Sequence, residues 1–176
     1  MAARPHVALI GMMGVGKSTA GRVVAARTGR RFVDTDAVIE ATTGRTPREL
    51  WEQDGEHAYR PLEREAVEQA LAADDPVVLA TPGGVAVDDA MARAVRAPGV
   101  VTVLLRATLA TLDRHVGDHP AHRPLLGPDP HATLARLLAE RAGRYEALAD
   151  AVVDVDGLSP ERVITAVLAA LDDADG

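Results

Sequence analysis

Short apolar segments recur along the chain at intervals filled by longer amphipathic stretches. They occupy residues 7–10, 31–33, 77–80, 100–105 and 151–153, which gives five candidate strands. Alternation of buried strands with helix-periodic stretches predicts an α/β fold, a three-layer α/β/α arrangement with a parallel sheet covered by helices on both faces. Ligands in such a fold lie at the carboxyl ends of the strands, so the residues after each strand are the first candidates for chemistry.

The first strand leads into a glycine-rich turn and then a helix predicted over residues 17–28. The turn carries the complete phosphate-loop pattern, Gly11-x-x-x-x-Gly16-Lys17-Ser18. Glycines allow backbone N–H groups to approach phosphate oxygens, and the start of the helix adds its positive end. Lys17 is then expected to bridge the β- and γ-phosphates, and the Ser18 hydroxyl to ligate Mg²⁺.

The alternative interpretation is an ordinary glycine turn beside an incidental lysine. The strand before the turn and the helix after it favour the phosphate loop. Lys17 is also the only lysine in the chain. A compact ammonium charge has therefore been kept where a phosphate-binding loop uses one.

Composition narrows the classes of function. The 176 residues fit one domain, 1–176, and the absence of cysteine excludes disulfides and thiolate metal sites. The formal net charge of −7 and four aromatic residues argue against a nucleic-acid-binding surface. No apolar run is long enough for a membrane span, and no signal peptide is apparent, so we expect a cytoplasmic monomer that binds neither nucleic acid nor membranes.

Two carboxylates follow the second strand, at Asp34 and Asp36. If the chain stays extended there, both side chains project towards the phosphate loop. One would then hold Mg²⁺ and the other would accept a proton from an attacking hydroxyl. The alternative is that Asp36 is the N-cap of the next helix.

Further candidates follow along the chain. Arg60 and Glu63 are i, i+3 neighbours on a predicted helix, a spacing that also suits a solvated surface pair. The double glycine Gly83-Gly84 after the third strand indicates close backbone approach, or an ordinary turn capped by Asp88. Arg141 lies on the apolar face of a helix predicted over residues 132–148, where that face would meet the cleft.

Residues 115–130 form a polar segment rich in proline and glycine, which predicts a mobile lid. Its Arg123 is a candidate for closing over the phosphates. Three histidines, His115, His119 and His122, have helical spacing that could suggest a metal site. Gly117 and Pro120 argue against a regular helix there, and so against that site.

Taken in order, these motifs resemble those of the shikimate kinases, a family of P-loop small-molecule kinases, along nearly the whole chain. The matching pieces are Gly11-Met-Met-Gly-Val-Gly-Lys-Ser-Thr19, Phe32-Val-Asp-Thr-Asp36, Tyr59-Arg60 with Glu63, Gly83-Gly84, Arg123-Pro-Leu-Leu126, and Arg141 with Tyr145. The phosphate loop is shared by many kinases, whereas the combination is specific. One departure is Pro82, which stands where the family usually has a glycine and removes one N–H donor.

The resemblance implies a P-loop kinase fold, ATP and Mg²⁺ as co-substrate and cofactor, and shikimate as the phosphoryl acceptor. It places the acid in a segment over about residues 34–62 and implies a contact for each of these groups. Those holding ATP would be Gly14, Val15, Gly16, Lys17, Ser18, Thr19, Arg114, Arg123 and Pro160. Those holding Mg²⁺ would be Ser18 and Asp34, and those holding the acid would be Asp36, Arg60, Gly83 and Arg141. Lys17, Asp36 and Arg123 would act in catalysis, with Asp36 as the base.

Two other functions stay open at this point. One is a related P-loop kinase acting on gluconate or a nucleoside monophosphate. Two arginines suited to a carboxylate favour shikimate over these acceptors, and a nucleotide acceptor calls for more stacking surface than four aromatic residues provide. The other is a weakly active nucleotide-binding regulatory module, for which Pro82 leaves room. A guanine-reading Asn-Lys-x-Asp is excluded, because the chain has no asparagine.

Overall fold

The structure, a computed structural model, describes residues 5–118 and 126–174. Strands β1 to β5 span His6–Ile10, Arg31–Asp34, Val77–Ala80, Val100–Arg106 and Ala151–Asp154. Helices α1 to α7 span Lys17–Thr28, Thr35–Thr43, Pro47–Leu71, Asp89–Val95, Leu109–Asp118, Pro130–Leu148 and Pro160–Ala174. A short 3₁₀ helix, Gly83–Ala86, follows β3.

The strands form one parallel sheet in the order β2-β3-β1-β4-β5. Residues 7–10 of the central strand β1 are completely buried, as expected for a strand covered on both faces. Parallel neighbours are joined by right-handed crossovers, which place α1 on one face and α3, α4 and α6 on the other. Helix α7 packs beside α1, and α3 packs beside α4. The predicted three-layer α/β/α fold with five parallel strands is confirmed.

A second, smaller core lies away from the sheet, between α2 and α3. It is built from Ile39, Leu50, Tyr59 and Ala66, all buried, and Trp51 packs against it. The N-terminus of α3 is fixed by the predicted capping box, in which Thr46 and Glu49 exchange hydrogen bonds. This core gives the α2–α3 region its own support beside the carboxyl end of β2.

The chain does not stay extended through the two aspartates after β2, so that expectation is wrong. Helix α2 begins at Thr35, and the cap is Asp34, whose side chain accepts a hydrogen bond from the Asp36 N–H at 3.0 Å. The alternative that made Asp36 the cap is also wrong. Asp36 instead lies in the first turn of the helix, where its negative charge suits the helix dipole.

Two further boundaries differ from the sequence expectation. Helix α5 runs to Asp118, past the predicted end near residue 114 and through Gly117. An interior glycine lowers helix stability by about 1 kcal/mol but does not remove the backbone hydrogen bonds, so it did not end the helix. Helix α6 starts at Pro130, two residues earlier than predicted, because Asp129 caps it by accepting from the Ala132 N–H.

Helix α3 consists of two helical parts joined at a kink. Gly55 has φ 81° and ψ 172°, which are not helical values, and the helical path continues on both sides of it. Only glycine adopts this backbone region readily. The kink turns the second part of α3, which carries Tyr59, Arg60 and Glu63. In the described part of the chain, no helix combines the length and apolar character needed to cross a membrane.

Gly11 joins β1 to the phosphate loop under a strict steric constraint. Its φ is +139°, and a Cβ atom there would lie 2.4 Å from the backbone oxygen of Leu105. Gly143 lies in helix α6, where a Cβ would meet nothing within 4 Å. The two glycines therefore form a matched pair for testing the fold.

We predict that Gly11→Ala lowers the free energy of unfolding by at least about 2 kcal/mol, because it combines a strained φ with a backbone clash. Gly143→Ala should raise it by about 0.5–1 kcal/mol through helix propensity alone. Urea denaturation followed by circular dichroism measures both. A Gly11→Ala variant as stable as the parent protein would contradict the position of the loop against β4.

Candidate active site

The phosphate loop of the structure has the backbone that the sequence pattern predicts. Gly11, Gly14 and Gly16 all have positive φ values, of 139°, 79° and 103°. Helix α1 begins directly after the loop, and its N-cap, Gly16, supplies no side-chain acceptor. The N–H groups at a helix start need acceptors from outside the helix, so an anion bound here would complete them.

Lys17 is anchored to the loop itself. Its ammonium group donates hydrogen bonds to the carbonyl oxygens of Gly11, at 2.7 Å, and Met12, at 3.0 Å. These bonds hold the charge over the loop at the carboxyl end of β1. They also turn two carbonyl oxygens towards a cation, and so away from an anion bound by the loop amides.

Ser18 and Asp34 meet across the site. The Ser18 hydroxyl donates to the Asp34 carboxylate at 2.5 Å, which joins the first turn of α1 to the end of β2. A hydroxyl beside a carboxylate offers oxygen ligands of the type that Mg²⁺ prefers. Among residues 5–118 and 126–174, no group of three or more His, Cys, Asp or Glu side chains is placed to hold a metal by itself.

One cavity of about 760 Å³ connects these groups. At one end it is lined by residues of β2, α2, α3 and the turn after β3, including Asp34, Asp36, Tyr59, Glu63, Gly83 and Gly84. The middle is lined by the phosphate loop, residues 13–20. The other end is lined by residues of α5 and of the β5–α7 connection, including Thr111, Arg114, His115, Gly157, Ser159 and Pro160. A cavity of this size fits two small ligands end to end.

Asp36 lies at the first end of the cavity, next to a buried tyrosine. The Tyr59 hydroxyl donates to its carboxylate at 3.4 Å, and the ring packs edge-on against Trp51 with centroids 5.8 Å apart. Burial, reinforced by the negative charge of Asp36, raises the pKa of Tyr59 far above its usual value. Tyr59 therefore stays protonated and acts as a hydrogen-bond donor to Asp36.

Arg60 is fixed by two glutamates and a ring. Its guanidinium group donates to Glu63 at 2.6 Å and to Glu56 at 2.9 Å, and it lies 5.3 Å from the centroid of Trp51. Burial raises the pKa of Glu63 to about 7, because the loss of solvation outweighs the attraction of Arg60. The pair is thus a largely buried ion pair rather than the solvated surface pair that its spacing alone allowed.

Arg141 approaches the same region from helix α6. Its guanidinium group and the Tyr145 hydroxyl both donate to the carbonyl oxygen of Gly83, at 2.9 and 2.5 Å. Arg141 is only 4% exposed, and its Nε is the one buried side-chain nitrogen or oxygen without a hydrogen-bond partner among the described residues. Burial raises the pKa of Tyr145 to about 12, so this hydroxyl also remains a donor.

Gly84, the second glycine after β3, has a steric reason, whereas a Cβ at Gly83 would make only an ordinary van der Waals contact. A Cβ at Gly84 would lie 2.6 Å from Arg60 Nη1, and a Cβ at Gly83 would lie 3.6 Å from Arg141 Nη1. The two guanidinium groups therefore pack against consecutive residues of one turn. Pro82 has φ −60°, a value that proline adopts without strain, so the turn tolerates this departure from glycine.

Asp156 stabilises the end of the cavity that is lined by α5 and the β5–α7 connection. No sequence pattern pointed to this residue. Its carboxylate accepts from the Thr108 N–H at 3.0 Å and from the Thr108 hydroxyl at 2.8 Å. A hydrogen bond with the Thr111 hydroxyl is the main reason that the pKa of the Asp156 carboxyl is lowered. Thr111 in turn accepts from Arg114 at 3.0 Å, so this carboxylate ties the β5–α7 connection to the wall that carries Arg114.

The structure brings most of the predicted site residues to one cavity. Those on its wall are Gly14, Val15, Gly16, Lys17, Ser18, Thr19, Asp34, Asp36, Gly83, Arg114 and Pro160. Arg60 and Arg141 are not part of the wall, and they lie directly behind Gly84 and Gly83. Arg123 lies outside the described residues, as do His119 and His122.

Sequence reasoning missed one contact of the phosphate loop. His115 Nδ1 lies 2.8 Å from the carbonyl oxygen of Gly14, although the two residues are 101 positions apart. The histidine spacing had drawn attention to a metal site instead. No local pattern indicates a contact that is made only when helix α5 packs beside the loop.

The fold and the cavity define a P-loop phosphotransferase that acts on a small molecule. The shikimate kinase family model matches residues 13–172, and the chain belongs to this family. It is 40% identical over 168 residues to a shikimate kinase of Streptomyces coelicolor, covering 96% of each chain. It is 42% identical to one of Thermobifida fusca, covering 92% of this chain and 91% of the other.

Solved structures agree with this assignment. A shikimate kinase from Acinetobacter baumannii in complex with shikimate superposes with a TM-score of 0.90 at 27% identity, covering 97% of this chain and 94% of that one. A gluconokinase from Sinorhizobium meliloti 1021 reaches a TM-score of 0.65 at 19% identity, over 99% of this chain and 95% of that one. The second likeness shows a shared fold only, so the comparisons favour a shikimate kinase over the alternative kinases.

The raised pKa of the buried Glu63 carboxyl predicts that the free energy of unfolding depends on pH. Its pKa rises from about 4.5 in the unfolded chain to about 7 in the folded protein. Between these values the folded protein binds more protons than the unfolded chain, so stability falls as the pH rises. We predict that Glu63 lowers the free energy of unfolding by about 2–2.5 kcal/mol between about pH 5 and pH 7.5.

Glu63→Gln should remove this part of the pH slope. Glu68→Gln, on the exposed side of the same helix, should leave the slope unchanged. Urea denaturation at several pH values measures the effect. Identical slopes for the parent protein and Glu63→Gln would show that Glu63 is ionised throughout, and would contradict the raised pKa.

Proposed function

We propose that this protein catalyses transfer of the γ-phosphoryl group of ATP to the 3-hydroxyl of shikimate, giving shikimate 3-phosphate and ADP. The observation that carries the proposal is a single cavity with Lys17 and Asp36 on its wall and the guanidinium groups of Arg60 and Arg141 behind it. This reaction belongs to the synthesis of chorismate and the aromatic amino acids. The cytoplasmic location and the monomeric state remain predictions from the sequence.

ATP is placed with its phosphates on the loop and its base at the α5 end of the cavity. Backbone amides of the loop and the Lys17 ammonium group bind the phosphates, where the start of α1 adds its positive end. Arg114 and Pro160 line the base end and flank the adenine. The loop contacts assigned to ATP are those of Gly14, Val15, Gly16, Lys17, Ser18 and Thr19.

The residues present fit a magnesium ion. Ser18 and Asp34 are already joined by a hydrogen bond on the cavity wall, and both offer the hard oxygen ligands that Mg²⁺ takes. Two protein oxygens suffice, since Mg²⁺ usually completes its shell with phosphate and water oxygens. When bound, the ion neutralises charge on the β- and γ-phosphates.

The acid is placed at the opposite end, with its carboxylate between Arg60 and Arg141. Arg141 donates to the carbonyl oxygen of Gly83, and its Nε is buried without an acceptor among the residues described. Arg60 is held ready by Glu56 and Glu63. Two guanidinium forks around one planar carboxylate form short, charge-assisted hydrogen bonds, and the Gly83 N–H binds a hydroxyl of the acid.

Asp36 is the base. It accepts the proton of the 3-hydroxyl as that oxygen forms its bond to the γ-phosphorus and the bond from that phosphorus to the bridging oxygen of ADP breaks. Tyr59 donates to Asp36 and so orients the carboxylate. The rate gain comes mainly from holding the two substrates in line and from positive charge around the transferred group. Because residues 115–118 lie in helix α5, the lid that stays a prediction is the segment between α5 and α6, together with the role of Arg123.

A coupled assay of ADP release tests the proposal. With Mg²⁺ and ATP, shikimate should support turnover, whereas gluconate and CMP should give no more than the background rate. Lys17→Ala should reduce the shikimate rate to background while the circular dichroism spectrum is unchanged. Turnover with gluconate or CMP but not with shikimate would overturn the proposal, as would near-normal turnover by Lys17→Ala.

The carboxylate clasp makes its own prediction. Arg141→Ala should raise KM for shikimate at least about tenfold, because a charge-assisted pair contributes about 1.5–3 kcal/mol. KM for ATP should change by less than about twofold. Steady-state kinetics with each substrate varied in turn measure the difference.

Arg144→Ala is the matched control, since Arg144 lies one turn further along α6 and is exposed. Both of its KM values should equal those of the parent protein. Arg141→Lys keeps the positive charge but loses the fork, so its KM for shikimate should fall between those of the parent protein and Arg141→Ala. Equal increases in KM for shikimate and ATP in Arg141→Ala would contradict the clasp.

A further inference from the structure

The carbonyl oxygens of the phosphate loop need hydrogen-bond donors, just as its N–H groups need an acceptor, which an anion can provide. A loop binds phosphate by pointing N–H groups inward, and a carbonyl oxygen that turned inward would repel the anion. Lys17 provides donors for the carbonyl oxygens of Gly11 and Met12. The carbonyl oxygen of Gly14 has a donor from another part of the chain, the His115 side chain at 2.8 Å.

The chemistry of this contact fixes the state of the histidine ring. A carbonyl oxygen only accepts hydrogen bonds, so His115 Nδ1 must carry a hydrogen. The distance of 2.8 Å is that of a well-formed N–H···O bond. His115 also lies on the cavity wall beside Arg114, at the end assigned to the base. The contact therefore links the base end of the cavity to the phosphate loop.

The bond acts on one of the glycines of the loop. Gly14 has φ 79°, and glycine loses more conformational freedom on ordering than any other residue. The next peptide N–H, that of Val15, makes only a long hydrogen bond of 3.3 Å, to the carbonyl oxygen of Met12. Because the C=O and N–H of one trans peptide point in opposite directions, holding the Gly14 oxygen also sets the direction of the Val15 N–H.

The two residues before His115 in helix α5 make contacts away from the phosphate loop. Asp113 binds His131 Nδ1 of helix α6 at 2.6 Å, and Arg114 donates to Thr111 on its own helix. Three consecutive side chains of α5 thus reach α6, the base end and the phosphate loop. His131 is a useful reference, because it is an exposed histidine whose hydrogen bond does not involve the loop.

We propose that His115 is a positioning residue for nucleotide binding, which keeps the Gly14 carbonyl turned away from the phosphates and thereby orders the loop. The inference rests on the proposed function only in that the loop binds the phosphates of ATP. His115 acts through the loop backbone, so its loss weakens the affinity for ADP and ATP and leaves shikimate binding unchanged.

Binding measurements with four proteins test this role. They are the parent protein, His115→Ala, His115→Asn and His131→Ala. The asparagine amide nitrogen occupies about the position of histidine Nδ1, so His115→Asn keeps the donor, whereas His115→Ala removes it. MgADP affinity is measured by isothermal titration calorimetry. Shikimate affinity is followed by the fluorescence of Trp51, the only tryptophan in the chain, which lies beside Arg60.

The expected result is that His115→Ala weakens MgADP binding about three- to tenfold, the effect of one hydrogen bond. His115→Asn should bind MgADP within about twofold of the parent protein, and His131→Ala should bind it equally well. Shikimate affinity and the melting temperature should be the same in all four. In kinetics, His115→Ala should raise KM for ATP and not KM for shikimate.

Two outcomes would overturn the inference. One is unchanged MgADP affinity in His115→Ala. The other is an equal loss in His115→Ala and His115→Asn, which would mean that ring packing rather than the donor matters. Both are separate from failure of the proposed function, which would appear as a parent protein that binds MgADP but does not phosphorylate shikimate.

Discussion

The position of β1 between β3 and β4 is the constraint on which the site depends. Leu9 is paired with Ala80 and Ile10 with Leu104, so β1 ends one residue beyond the end of β3, while β4 continues two residues further, to Arg106. The connection after β1 leads to β2 on one side of it, and the connection after β3 leads to β4 on the other side. A crevice opens at such a switch in direction. The phosphate loop, the turn that carries Gly83 and the start of α5 all follow from these strand ends.

The second constraint is electrostatic. Two guanidinium groups are kept beside one turn, one largely buried and one almost completely buried, a costly arrangement unless each is compensated. Arg60 has two carboxylates, and Arg141 has the carbonyl oxygen of Gly83. One donor of Arg141, its buried Nε, has no acceptor among the described residues. The same logic applies at the loop, where Lys17 and His115 occupy three carbonyl oxygens and leave the phosphate to be bound by N–H groups.

Much of this was predictable from the sequence where local rules apply. The bounds of α1 follow from Lys17 after the glycine loop and Gly29 as a C-cap, and the capping box at Thr46 marks the start of α3. The helix boundaries that were predicted wrongly are those where two local sequence signals compete. Asp34 took the cap that Asp36 could have taken, and Gly117 did not stop α5. Contacts such as His115 with Gly14 need the packed fold, so no sequence pattern could show them.

A crystal structure with shikimate and MgADP bound tests the central claim most directly. We expect the phosphates of ADP to bind the loop amides, and the carboxylate of shikimate to accept hydrogen bonds from both Arg60 and Arg141. The 3-hydroxyl should lie within hydrogen-bond distance of Asp36 and point towards the β-phosphate. A shikimate carboxylate bound away from these two arginines, or a 3-hydroxyl directed away from the phosphate loop, would contradict the account.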